Sequence, residues 1–183
     1  MAEEFDAAAP ADPGVGTIGK PLAAMARWMA LAGGLMLVCI LLLIVVSVVS
    51  RKLFALPVPG DVELTSVTAA VATAWFFPWC FAVSGNVKVD FFTNRWNSRC
   101  IAALEAMSAL LIALLAITIA WRTGVAAVSI HEAQEISAIL GVPTWLSYVG
   151  MVPGFALLAL LAIHRFAQLA LEALGLTEPG IST

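Results

Sequence analysis

The chain has 183 residues, of which 62% are hydrophobic and 11% charged, and its formal net charge is −3. Soluble domains carry about 25% charged residues, and a fold of this size buries only about two thirds of its extended-chain surface, so much of this apolar surface must face lipid. The slight acidity, with nine Lys and Arg residues dispersed along the chain, excludes the basic stripe of a nucleic-acid-binding surface.

Taken in chain order, residues 1–20 place Glu3, Glu4, Asp6 and Asp12 among alanines, glycines and prolines and read as a disordered tail. An acidic start does not suit a secretory signal, and the apolar run that follows is too long for its core, so that run is an uncleaved first membrane helix. The expected layout is a cytoplasmic tail over 1–24, a membrane domain over 25–170, and a second cytoplasmic tail over 171–183.

Four segments reach the roughly 20 apolar residues needed to cross a hydrocarbon core about 30 Å thick. They cover about 28–49, 64–84, 101–121 and 145–167. Only helices that satisfy their own backbone can span lipid in so short a chain. The predicted fold class is therefore an all-α integral membrane protein with four transmembrane helices and short interfacial amphipathic segments. With the N-terminus inside, Lys20, Arg27, Lys88, Arg95, Arg99 and Arg165 are cytoplasmic, against Arg51, Lys52 and Arg122 outside. Six against three favours both termini in the cytoplasm.

The outer turn 51-RKLFALPVPGDVEL-64 is stiffened by Pro57, Pro59 and Gly60, with Asp61 expected as the N-cap of the second helix. Glu63 suits the exposed amides of the first turn, and an Arg51 to Glu63 bridge is expected to tie the first two helices. After the second helix, 83-VSGNVKVDFFTNRWNSR-99 stops at Gly85 and Asn86 and alternates apolar and polar residues through Asp90. Phe92 and Trp96 can then face acyl chains while Arg95 and Arg99 reach phosphates or acidic partners, so this piece reads either as an element lying in the headgroup plane or as a plain connector. On the far side, Val125, Val128, Ile136, Ile139 and Leu140 predict an apolar stripe on a short helix, ended by Gly141 and Pro143 before Trp145 anchors the fourth span.

Small residues four apart mark packing seams: Ala26, Ala30 and Gly34 in the first segment, Ala109 and Ala113 in the third, Gly150 and Gly154 in the fourth. Charge within the spans is where transport or proton transfer would announce itself, and there is hardly a candidate: Glu105, four residues into the third helix, is close enough to the cytoplasmic edge to meet Lys88, Arg95 or lipid headgroups and reads as an interfacial or subunit contact ahead of an ion-pathway group. His131 and His164 fall on opposite faces, which does not suit a haem held between helices. The three cysteines lack the spacing of a redox or zinc pair, and neither a phosphate-binding glycine loop nor a serine-histidine-acid arrangement can be built. This poverty of chemistry points away from an enzyme.

The order of segments carries a resemblance. Arg51 and Phe54 end the first helix, 59-PGDVEL-64 opens the second, 85-GNVKVDFF-92 follows it, and 143-PTWLSYVGMVPGF-155 enters the fourth. Over about residues 25–170 the chain resembles the DctQ-like small permease subunit of tripartite ATP-independent periplasmic (TRAP) transporters. In that pattern Gly60, Glu63 and Leu64 begin helix two, Gly85 through Asp90 follow it with Lys88 where a histidine is common, and Pro143, Trp145, Tyr148, Pro153 and Gly154 enter helix four. The resemblance implies a bacterial inner-membrane component of sodium-coupled secondary transport of an organic acid, with a large DctM-like permease and a periplasmic DctP-like binding protein as partners. Sodium coupling would reside in the large subunit, with no cofactor in this one. The small subunit would brace the large one through the small-residue seams and Arg51, Glu63, Lys88, Asp90 and Glu105, anchored by Phe92, Arg95, Trp96, Arg99 and Trp145. Two other readings stay open: a redox or proton-handling anchor using Glu105, His131 or His164, and a self-contained small oligomeric transporter.

Overall fold

The computed structural model describes residues 19–54, 60–84 and 98–173. Four helices account for most of them: α1 (Gly19–Phe54), α2 (Asp61–Ser84), α3 (Ser98–Glu132) and α4 (Trp145–Ala173). All four are long and apolar enough to cross a membrane. The β-branched run Ile44, Val45, Val46, Val48 and Val49 is helical within α1, although such residues are indifferent helix formers in water. In lipid the backbone has no other hydrogen-bond partner, and that requirement outweighs side-chain propensity. Hydroxyls on the helices are satisfied the same way: Thr65 donates to the Asp61 carbonyl, Thr73 to Ala69 and Thr118 to Leu114.

The helices form an open layer in the order α1, α2, α4, α3. α4 packs most extensively on α3 and also on α2, α2 packs on α1, and α1 touches α4 over a small area. The flanking helices α1 and α3 share no substantial contact. Each therefore leaves a broad face uncovered, shown by Leu35, Leu42 and Val46 on α1 and Leu111, Leu115 and Trp121 on α3, all exposed.

Helix α3 differs from expectation. It runs unbroken for 35 residues, roughly 52 Å at 1.5 Å per residue, so Val125 and Val128 belong to its last turns and there is no separate short helix. Gly124 does not interrupt it, because Ala126 and Ala127 continue it and Ala127 is buried. Its end is a Schellman turn: Gln134 has a positive φ of 50°, the Glu135 N–H donates to the Ile130 carbonyl, and the Gln134 N–H donates to His131. Ile136 then bridges to Pro143, and the Ser137 N–H donates to Val142. The predicted stripe is thus split, with Ile136 and Ile139 exposed and Leu140 turned inward. Leu140 seats on Gly60, whose φ of +81° and lack of a Cβ leave room for it.

The expectations for Lys88, Asp90, Phe92, Arg95 and Trp96, and for the two tails up to residue 18 and beyond 173, lie outside the described residues. Arg99 falls in the first turn of α3, where only the backbone is described.

Candidate functional site

Seams of α4 with α2 and with α3, a seam of α1 with α2, and two polar ties hold the layer together. The α2 to α4 seam is built on small residues and one proline. Pro78 is fully buried inside α2, and because it has no N–H, the carbonyl four residues earlier, Ala74, lacks its usual helical donor. Gly154 of α4 lies against that carbonyl so closely that a Cβ there would run into it, an approach suited to a weak Cα–H···O contact. One turn away, Trp75 Nε1 donates to the Gly150 carbonyl at 2.8 Å, and a Cβ on Gly150 would stand 3.2 Å from Val71. Phe77 and Phe155 close the seam with ring centroids 6.0 Å apart. Gly150 and Gly154, expected as a packing pair, are engaged inside this chain.

The seam of α4 with α3 is a stripe of alanines. Ala106, Ala109, Ala113 and Ala116 are buried at spacings of three and four, Ala116 against Phe155, Leu158 and Ala159. Small side chains in this repeat allow close helix approach over many turns. Near the start of α3 Glu105 pairs with Arg165 at 3.7 Å, both partly covered at 33% and 23% exposure. Glu105 is therefore tied to α4 of its own chain.

The tie between α1 and α2 departs from the predicted bridge. Ser47, 0% exposed and the lone hydroxyl of the first predicted span, donates to Asp61 Oδ2 at 2.7 Å. Arg51, 60% exposed, stands 3.7 Å from the same oxygen. Asp61 rather than Glu63 is the partner of Arg51, and the reason is helical phase. Residues two apart point about 200° away from each other, so only one can face Arg51. Asp61 occupies the first helical position rather than the cap, since the Gly60 carbonyl accepts the Leu64 N–H, and Asp61 Oδ1 accepts the Val62 N–H.

The remaining seam residues divide. Ala26 is buried with Leu157 and Leu161 of α4, Ala30 is half-buried, and Gly34 has nothing within 4 Å of where its Cβ would be. Its neighbour Gly33 makes the close approach instead: a Cβ there would stand 3.3 Å from the Ala72 carbonyl oxygen. The seam faces α2 rather than following the strict four-residue row. Trp145 meets His131 edge-on at 5.2 Å, stapling the start of α4 to the end of α3. His164 lies 19 positions beyond Trp145 on α4, roughly 29 Å along the axis, so the two histidines are held far apart.

Glu63 lines a cavity of about 440 Å³ among α1, α2, α4 and the connection that carries Leu140. Neither this cavity nor the roles of Gly33 and Trp75 was foreseen. The legible signal was a lone hydroxyl in an apolar run and two acids two positions apart at the start of the second helix, groups that require partners when buried.

A family model described as Tripartite ATP-independent periplasmic transporters, DctQ component, matches residues 40–172. None of the curated proteins and none of the solved structures compared with the chain matches it.

Proposed function

Belonging to the DctQ component family, the chain is the small membrane subunit of a tripartite ATP-independent periplasmic transporter, and we propose that its work is to brace a large DctM-like permease. In this reading the complex imports an organic acid delivered by a DctP-like periplasmic receptor, with sodium coupling in the large subunit and both termini of this chain in the cytoplasm. The observation that carries the bracing role is how the polar groups are used. Ser47, Asp61 and Arg51 tie α1 to α2, and Glu105 and Arg165 tie α3 to α4, while the uncovered faces of α1 and α3 are apolar. A rigid layer with two broad apolar flanks suits a support better than a conduit, for which charged groups facing a water-filled path are needed.

The test is omission. Uptake should be lost without this chain while the large permease is still inserted, and the two should co-purify as a colourless complex. Transport by this chain reconstituted alone, or uptake unchanged without it, overturns the proposal.

A further inference from the structure

The cavity beside Glu63 has polarity at one end only. Glu63, Ser137, Thr144 and Ser147 line its outer end, and Val67, Val71, Trp75 and Val149 line the part that runs inward. Along α2 its lining residues from Glu63 to Trp75 span 12 positions, roughly 18 Å at 1.5 Å per residue. That is several times the reach of a protein side chain, so one lysine or arginine from a partner would fill only the mouth. Among the described residues nothing donates to Glu63 Oε2, although that atom is buried. A buried carboxylate oxygen without a donor is costly, and an occupant bearing N–H donors would remove that cost.

We propose that this cavity holds one phospholipid with a primary-amine headgroup, its ammonium donating to Glu63 Oε2 and one acyl chain lying along Val67, Val71 and Val149. The ammonium supplies the missing donor and charge complement. The acyl chain would lie along the apolar wall formed by Val67, Val71 and Val149, on helices long enough to span a membrane. Val71 also packs on Gly150, so the same surface that closes the α2 to α4 seam would seat the lipid. The site is formed by this chain alone, so its test is independent of the bracing role.

The full chain is embedded in nanodiscs of equal parts phosphatidylethanolamine, phosphatidylcholine and phosphatidylglycerol, and native mass spectrometry reads which lipid stays bound on release. One phosphatidylethanolamine should be retained in preference to phosphatidylcholine, whose quaternary ammonium has no N–H, and to phosphatidylglycerol. Glu63→Gln should reduce that preference roughly tenfold, because a charge-assisted hydrogen bond becomes a neutral one. Val71→Phe, filling the groove below the headgroup, should lower retention of every lipid, with circular dichroism confirming that the helices persist. Equal retention of the three lipids overturns the proposal, as does a preference that Glu63→Gln leaves intact. Absence of bound lipid together with carbodiimide coupling of Glu63 to a lysine of a co-purifying subunit would also overturn it, assigning the cavity to a protein partner.

Discussion

The two sides of α4 solve the same problem differently. Towards α2 it relies on a few directional contacts: Gly154 on the Ala74 carbonyl, Trp75 donating to Gly150, and Phe77 beside Phe155. Towards α3 it makes its most extensive contact through alanines, with one partly exposed ion pair near the start of α3. Lipid cannot drive helices together as water does, so close packing and hydrogen bonds must. The first seam concentrates that work in a few atoms and fixes register, whereas the second spreads it along several turns.

If that distinction holds, Gly154→Leu should be the most damaging change. It forces side-chain atoms into the Ala74 backbone, and overpacking of this kind costs about 1–3 kcal/mol or more. Denaturation by SDS, followed by circular dichroism, should show it as a large loss of stability, and a variant as stable as the parent would remove the basis for the α2 to α4 seam. Trp75→Phe keeps the ring and deletes the donor to Gly150. A loss of about 0.6–1.5 kcal/mol is expected in the same titration.

The alanine side should be more forgiving. Glu105→Gln and Arg165→Gln should each cost no more than about 1 kcal/mol, as for other partly exposed pairs. The double variant should be no worse than the poorer single one. Strictly additive losses would mean that the two residues do not act on each other. The smallest effect separates the two acids at the start of α2: a double-mutant cycle of Arg51→Gln with Asp61→Asn should show coupling, and the same cycle with Glu63→Gln none. Coupling to Glu63 instead would restore the bridge expected from sequence and contradict the phase of α2.

Particular residues show where sequence reasoning stopped. Ser47 stood out as the lone hydroxyl of an apolar run without pointing to a partner, and Arg51 was paired with Glu63, because Asp61 and Glu63 lie only two apart in sequence and diverge only once wound on a helix. Gly33 and Gly34 are likewise equivalent as letters, and the spacing rule favoured Gly34, while the approach of α2 selected Gly33. Apolar periodicity suggested a stripe from Val125 to Leu140, yet α3 continued to Glu132 and the following turn sent Leu140 to Gly60. Glu105 was legible as an edge residue, but its partner Arg165 lies 60 positions away, beyond what local pattern can reach.

Composition and the lengths of the apolar runs settled by themselves that four helices form and that they belong in lipid, because a backbone in hydrocarbon must hydrogen-bond within its own segment. The order of the segments also carried the family resemblance that the DctQ match then showed over residues 40–172. Which faces meet was decided only by the tertiary structure. Small residues permit close approach on any face that presents them, and the choice among those faces depends on where a freed carbonyl, an indole N–H or a buried hydroxyl finds its partner across the interface.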